Sequence, residues 1–476
     1  MPDNSLVQPH LSVLSPDQID WIHQKSLLIL SQTGLRVDSQ DARQVFARGG
    51  DSARIQEDRL YLESELVDWA IQNTPHSIQV FDRLGQPAFL LGSGQARFGV
   101  GVTNLYFQDP LSDEIEPFTR DLLGRCVRLG DALSSFDLVS TIGILSDLSP
   151  SSADLYAVLE MVANTIKPLV ILVSDERLFV PALDMLESRF GDLGSKPFFL
   201  PYFNPVTPLV INQGTAEKTL EAVKRGLPLI YSNYGMAGLS TPITPVGTLA
   251  LLNAELLAGL VLIQLARPGA PVILGSQPAF FDMKSMQEFY DPYTILLNLA
   301  CAEMMARYRI PHAGTSGSGD GWGVDLLGGG LHWMNHLTGL LGRVGLAPFV
   351  GGNLNSKVFS PAMTVYADEV IGMARHFAHG FPLDDEALGL DEILAAGPSG
   401  SFLTSPLTLK RFRSAYYQGR LFPRLSLEKW QAKSRPQADQ FIRQKAQELL
   451  NSHPPPTDHD NIIASAEEWI RSWLKK

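Results

Sequence analysis

The 476-residue chain has only two cysteines, Cys126 and Cys301, too few for a disulfide framework or for a zinc or iron–sulfur site built on thiolates. Charge is also sparse and leans acidic: 38 Lys and Arg against 50 Asp and Glu leave a net charge of −12. No basic stripe exists beyond Lys410-Arg411-Phe412-Arg413, which speaks against nucleic acid as a partner. The N-terminus, MPDNSLVQPHLSVLSPDQ, lacks a basic segment followed by an apolar one, so no signal peptide is expected, and the cysteine usage suits a reducing cytoplasm. Uninterrupted apolar runs are missing too. The most apolar stretch, 248–266, is broken by Asn253, Glu255 and Gln264, which predicts a buried helix rather than a membrane span. What is present, 45% hydrophobic residues with 40 Gly and 32 Pro, is enough to bury a large core.

Residues 15–75 read as helices and turns. Ser15 before Pro16, with Gln18 three residues on, forms an N-cap signature, and Ile19, Ile22, Leu27, Leu30 and Leu35 recur at roughly helical spacing. Short apolar runs at 77–81 and 88–91, separated by Gly and Pro, predict a hairpin. From residue 95 an apolar, β-rich run and an amphipathic stretch then alternate eight times. The predicted strands are 96–102, 136–145, 168–173, 198–203, 228–232, 271–275, 310–314 and 347–350. The predicted helices are 119–133, 151–165, 175–189, 215–225, 246–267, 290–308, 328–342 and 362–378. Nearly continuous apolar strands imply burial on both faces, and the pattern predicts an α/β fold, a (β/α)₈ TIM barrel with helical N- and C-terminal extensions. A doubly wound sheet is the alternative, but Gly99-Val100-Gly101 lacks the third glycine of a dinucleotide turn. The expected division is an N-terminal helical cap and hairpin over 1–94, the barrel over 95–380, and a helical extension over 381–476. Two late helices fall at 436–450 and 461–474, either side of Pro454-Pro455-Pro456.

Barrel chemistry sits at the carboxyl ends of the strands. There the sequence offers Gly99, Gly101, Asn204, Gly235, Met236, Gly352 and Asn353, small or amide residues that let a large flat partner approach, and no lysine to act as a nucleophile. The segment from Gly314 to Gly323 reads either as a ligand-facing loop carrying Ser316, Asp320 and Trp322 or as a solvated turn. It lacks the ending of a phosphate-binding loop, and Ser318 stands where a nucleophile elbow needs glycine. His332 and His336 lie four apart on a predicted helix, but no Glu follows His332 and no third ligand is evident, so packed histidines are expected and no metal site. His376 and His379 read the same way. Aromatics near strand ends, among them Tyr202, Tyr234, Phe280, Trp322 and Trp333, are either core or a cage whose ring faces hold a quaternary ammonium, with Asp282 or Asp320 adding attraction.

Several segments carry a resemblance. They are Thr33-Gly34-Leu35-Arg36-Val37, Asn164-Thr165-Ile166-Lys167-Pro168, Pro205-Val206-Thr207-Pro208-Leu209, Met236-Ala237-Gly238-Leu239-Ser240-Thr241-Pro242-Ile243-Thr244, Asn253-Ala254-Glu255-Leu256-Leu257-Ala258-Gly259, Asp368-Glu369-Val370-Ile371-Gly372-Met373 and Gly397-Pro398-Ser399-Gly400-Ser401-Phe402-Leu403. In this order, from about Leu14 to Pro455, they resemble the trimethylamine and glycine betaine corrinoid methyltransferase family. The resemblance implies a barrel enzyme that moves a methyl group from a methylated amine to the cobalt(I) of a separate corrinoid protein. The corrinoid would then be carried by the partner, with no resident metal, and the enzyme is expected as a homo-oligomer. Because cobalt(I) is the nucleophile, no catalytic side chain is assigned. Trimethylamine members carry pyrrolysine after the seventh strand, whereas every residue from 312 to 332 here is standard. A quaternary amine needs no help to become cationic, so a betaine-like donor is expected. Its trimethylammonium would sit among Tyr234, Phe280, Trp322 and Trp333, and its carboxylate on Gln277, Ser316 or His332. A barrel that only binds betaine, and methyl transfer to a soluble acceptor such as tetrahydrofolate, are the alternatives.

Overall fold

A computed structural model describes residues 6–315 and 319–475. The predicted alternation folds into a closed parallel barrel. Its strands are β1 (Arg97–Val100), β2 (Leu138–Ser140), β3 (Leu169–Ile171), β4 (Phe199–Phe203), β5 (Leu229–Ala237), β6 (Val272–Asp282) and β8 (Leu346–Val350). Each pairs in parallel with the next around the ring, and β8 returns to β1. The gap between β6 and β8 is closed by residues 312–313, here β7, which bridge Leu274 on one side and Leu346 on the other. Four backbone hydrogen bonds make this seam: Leu274 N donates to Pro311 O (3.0 Å), Ala313 N to Leu274 O (2.9 Å), Gly314 N to Leu346 O (2.8 Å) and Leu346 N to His312 O (2.8 Å).

Alternating residues explain the two-sided burial. Leu138, Val170, Leu200, Ile230, Ile273, Ala313 and Leu346 fill the barrel interior. The predicted hairpin, Ile78–Phe81 against Pro87–Leu91, plugs its amino end by inserting Ile78, Val80, Phe89 and Leu91 into that same cluster. Interleaved residues such as Val139, Ile171, Tyr231 and Leu274 face outward into the layer of helices. These helices are α1 (Arg120–Ala132), α2 (Pro150–Asn164), α3 (Phe179–Phe190), α4 (Gln213–Lys224), α5 (Pro245–Ala266), α6 (Pro292–Tyr308), α7 (Leu326–Leu341) and α8 (Pro361–His379).

Among the described residues, α5 is the one helix long and apolar enough to cross a membrane, and 89% of its apolar window is buried inside the protein. The helices Pro16–Leu28, Gln40–Phe46 and Ser64–Asn73 cover it. The polar residues that interrupt its sequence are tied to their surroundings: Asn253 Nδ2 donates to Ser26 Oγ (2.9 Å) and Tyr308 Oη (3.0 Å), although its Oδ1 is buried without a partner among the described residues, and Gln264 caps the Arg267–Ala270 turn. Glu255 accepts from Leu209 N (2.6 Å), Thr207 Oγ1 (2.8 Å) and Asn233 Nδ2 (2.8 Å), tying α5 to β5 and to the loop after β4.

The structure departs from the expected boundaries in three places. The N-terminal region is not only helical: Leu35–Val37, Arg59–Leu62 and Ala53–Gln56 form a sheet with Val210–Ile211 from the β4 loop. These strands are three or four residues long, too short for their alternation to stand out beside a helical pattern. The second barrel strand is much shorter than 136–145. In contrast, β5 and β6 run past their expected ends, and β6 folds back on Gln287–Phe289, raising a lip on one side of the mouth. The late helices, Ala438–Ser452 and His459–Trp473, lie on the outside of α1, α2, α3 and α8 and contribute Ile442, Ala446, Leu450, Ile462 and Ile470 to the main core. Arg83, buried, grips the Asp458 carboxylate through two bonds of 2.6 and 2.8 Å.

Candidate functional site

At the carboxyl end of the barrel a cavity of about 320 Å³ opens between the ends of β1, β5, β6, β7 and β8. The long lip forms one wall: Tyr234 and Met236 project from β5 and Gln277 from β6. The return strand Gln287–Phe289 and the turn before α6 add Glu288 and Tyr290. Phe349 comes from β8, where Tyr202 meets it edge-on at 4.9 Å, and Asn355 and Ser356 come from the loop that follows.

That loop is held in a costly shape. Leu354, Asn355 and Ser356 have φ of 50°, 57° and 61°, three successive side-chain-bearing residues in the left-handed region. Contacts from every side hold it: Leu354 N donates to Gly321 O (2.9 Å), Asn355 Nδ2 to Glu288 O (2.7 Å) and Asn104 Nδ2 to Ser356 O (2.6 Å), while Tyr290 Oη meets Ser356 Oγ at 3.1 Å. Strain that surrounding contacts impose is characteristic of sites that must present a fixed geometry.

The electrostatics are acidic. Burial raises the Tyr234 phenol well above its ordinary range, with Tyr290 and Glu288 adding to the effect. Burial also raises Tyr290 and, near the end of β4, pushes Tyr202 up to about 12, so all three phenols stay neutral. Asp320 accepts from Tyr290 N (3.3 Å); burial first, and then the Glu288 charge, raises its carboxyl despite that bond. A cation placed in this cavity meets neutral ring faces and at least one carboxylate.

Of the residues singled out from sequence, Tyr234, Met236 and Gln277 line this cavity, and Asp320 lies behind it. Phe280 packs against Phe289 and Tyr293, and Trp322 is 72% exposed while its carbonyl accepts from Gln108. Trp333 lines a separate outer groove with Tyr366 and the helix Ala438–Ser452. The four aromatics expected to form one cage are therefore spread over separate places. His332 is buried in α7, with Nδ1 3.1 Å from His336 Nε2, and Ser316 lies outside the described residues. Gly99 and Gly235 are buried in barrel strands, Gly101 ends β1 with φ of 113°, and Gly352 and Asn353 pair with Val358–Phe359. Asn204 stands exposed at the end of β4, with its amide nitrogen oriented to donate to Tyr202 Oη (3.1 Å) and Ser232 O (3.1 Å). Glu288, Tyr290, Phe349, Asn355 and Ser356 were not singled out from sequence. Asn355 and Ser356 carried one signal, a position two and three residues beyond the Gly352-Asn353 pair; Phe349 lay within a predicted strand, and Glu288 and Tyr290 carried none.

Among the described residues no three His, Cys, Asp or Glu side chains gather as a metal site. Burial lowers His332 to about 4 and His312 to about 3, so both are neutral near pH 7. Elemental analysis of dialysed protein is expected to find no stoichiometric zinc. About one zinc per chain would overturn this and send attention to His312, His332 and His336.

A closed parallel barrel with a preorganised, acidic and aromatic cavity over its strand ends defines the class of (β/α)₈ proteins that carry their site at the carboxyl face. The profile of the family described as trimethylamine methyltransferase matches residues 3–472. A trimethylamine methyltransferase of Desulfitobacterium hafniense is 28% identical over 465 residues, which cover 96% of this chain and 92% of that protein. A glycine betaine methyltransferase of the same species is 26% identical over 470 residues, with 97% of each chain covered. The crystal structure of the Methanosarcina barkeri monomethylamine methyltransferase superposes with a TM-score of 0.54 at 10% identity over 94% of this chain and 89% of that one, a likeness of fold. The chain belongs to the trimethylamine methyltransferase family and is a methyltransferase. It is a member without pyrrolysine, since every residue is one of the standard twenty.

Proposed function

We propose that this enzyme takes a methyl group from a quaternary amine and delivers it to the cobalt(I) of a separate corrinoid protein. The observation that carries the reading is the mouth cavity, where Tyr234, Tyr290 and Phe349 converge with Glu288. Ring faces and a carboxylate suit a trimethylammonium head, whose charge cannot be removed by losing a proton. The names of the relatives supply the reaction class, since both act on methylated amines.

The corrinoid, when docked, supplies a strong two-electron nucleophile, so the barrel needs none of its own. The loops after β5, β6 and β7 fit such an approach, because each exposes large apolar side chains to a partner: Leu239 and Ile243, Met283 and Met286, and Trp322 with Leu326. The chain's own task is to hold one N–CH₃ bond in line and keep water out. As that bond breaks, its electron pair stays on nitrogen and the donor leaves as a neutral tertiary amine. The attraction of Glu288 and the ring faces then falls away, which favours product release.

Mixing the protein with a quaternary amine and cob(I)alamin, and following the methylcobalamin absorbance, tests the reading. Turnover supports it. Binding without turnover would favour a barrel that only binds its ligand, and turnover only with tetrahydrofolate would favour the soluble-acceptor alternative. In the same assay, Tyr234→Ala and Tyr290→Ala are each expected to weaken donor binding about two- to thirty-fold, because one cation–π contact is worth roughly 0.5–2 kcal/mol. Trp322→Ala and Trp333→Ala should leave donor binding unchanged, although Trp322→Ala should slow transfer from a protein-borne acceptor.

A further inference from the structure

Resting on that reading, the charge pattern of the mouth narrows the donor further. Among the described residues Glu288 is the one charged side chain on the cavity wall. Behind it stands Asp320, whose Oδ2 accepts from Tyr290 N while Oδ1 is buried with no partner among the described residues. Among the described residues no lysine, arginine or histidine lines the cavity. The nearby Lys357 ammonium lies outside that wall, 3.1 Å from Gln287 Oε1 and 3.9 Å from Glu288 Oε1, and its side chain is 46% exposed. The residues outside the described part of the β7 loop, Ser316, Gly317 and Ser318, carry no charge by sequence. Two carboxylates against one solvated ammonium leave the mouth negative.

The groups available to the far end of a donor are Gln277, Thr315, Asn355 and Ser356, an amide or hydroxyl in every case. They can exchange hydrogen bonds with a neutral tail, donating and accepting alike. A carboxylate tail offers them only acceptors. In a betaine that tail is also covalently tied within a few ångströms of the ammonium, so seating the cation beside Glu288 draws the substrate's own negative charge toward Glu288 and Asp320, with no fixed cation to receive it. Like charges brought together in a partly desolvated site oppose binding, and a site built to pair one group penalises an analogue that leaves its partners mismatched.

We propose that the donor is a quaternary ammonium with a neutral, hydroxyl-bearing tail, of the choline type, in preference to a betaine, and that Glu288 sets this preference. The betaine-like donor expected from sequence keeps its quaternary ammonium in this proposal and loses its carboxylate.

Isothermal titration of the full-length protein with choline chloride, tetramethylammonium chloride and glycine betaine, paired with the cob(I)alamin assay on each, tests the proposal. Choline is expected to bind at least about tenfold more tightly than glycine betaine, with tetramethylammonium between them. Glu288→Gln, a near-isosteric change, should keep the wild-type melting temperature, weaken choline about tenfold and shrink the choline-to-betaine gap to about threefold or less. Added salt should narrow the wild-type gap in the same direction. Glycine betaine binding as tightly as choline or more tightly, with methyl transfer, overturns this inference and leaves the amine methyltransferase reading standing. An unchanged gap in Glu288→Gln also overturns it, by removing Glu288 from the selection. Methyl transfer from none of the three compounds overturns the reading on which it rests.

Discussion

Gly275→Ala is expected to abolish folding or to cost about 4 kcal/mol or more, a loss at the extreme of single substitutions. A Cβ added at Gly275 would lie 1.5 Å from the Ala313 carbonyl oxygen and 2.6 Å from its carbon, and these are backbone atoms that no rotamer change can move aside. The clash falls on the weakest seam of the barrel. The seventh strand is two residues long and holds to β6 through only two of the four backbone bonds at the seam, Leu274 N to Pro311 O and Ala313 N to Leu274 O. Pushing it outward breaks both and separates Ala313 from the interior cluster, so relaxation and damage are the same movement. Urea unfolding and soluble yield measure the effect. Gly330→Ala is the control: no atom lies within 4 Å of its added Cβ on the exposed side of α7, so it should be neutral or stabilise by roughly 0.5–1 kcal/mol through helix propensity. A well-folded Gly275→Ala protein would show that the seam can open without cost.

Acid is expected to destabilise the protein well before its carboxylates titrate. Burial lowers His312 from 6.5 to about 3, and both of its ring nitrogens lack a hydrogen-bond partner among the described residues. His332 is lowered to about 4, and His336 well below 6.5 by burial together with the charges of His332 and Arg375. In each case the folded pKa lies below the unfolded one, so the unfolded chain binds the proton first. Stability is complete above about pH 6.5 and declines as pH falls from there toward the folded value. His312 contributes about 1.4 kcal/mol of loss per pH unit across that window, and His332 a similar slope that ends nearer pH 4. Thermal melts from pH 7.5 to 4.5 would read this directly, and His312→Leu isolates one contribution. The variant should lose about one proton's worth of slope while remaining stable at pH 7, because it removes a polar group left unpaired in the core. Parallel wild-type and variant curves would mean that His312 is protonated or paired in solution.

The mouth shows why part of the site was legible in sequence and part was not. Tyr234, Met236 and Gln277 sit on strands whose apolar runs announce them, and strand alternation turns them inward. Glu288 and Tyr290 arrive by a reversal of the chain after Asp282, where the local sequence, Met-Lys-Ser-Met-Gln, marks a turn and nothing more. Asn355 and Ser356 depend on three left-handed residues, Leu354 to Ser356, that no local preference selects; contacts from Asn104, Tyr290 and Gly321 hold them. The cage aromatics failed to gather for a related reason. Nearness to a strand end in sequence says nothing about which side of the lip a ring occupies, and Phe280 turns to Phe289 and Tyr293 instead of the cavity.

By itself, the sequence determined the eightfold alternation, the burial of the apolar helix Pro245–Ala266 behind its three polar residues, the hairpin before the barrel and the membership in a methyltransferase family. The alternation, the helix and the hairpin follow from local periodicity and composition, which act over one element at a time, whereas the family membership rests on segments that match in order along the chain. The tertiary structure alone decided the two-residue seventh strand, the raised lip of β5 and β6, the N-terminal sheet completed by Val210–Ile211 and the acidic character of the mouth. Each of these joins residues far apart in the chain, where the strength of a contact depends on what closure of the barrel brings against it rather than on the neighbours in sequence.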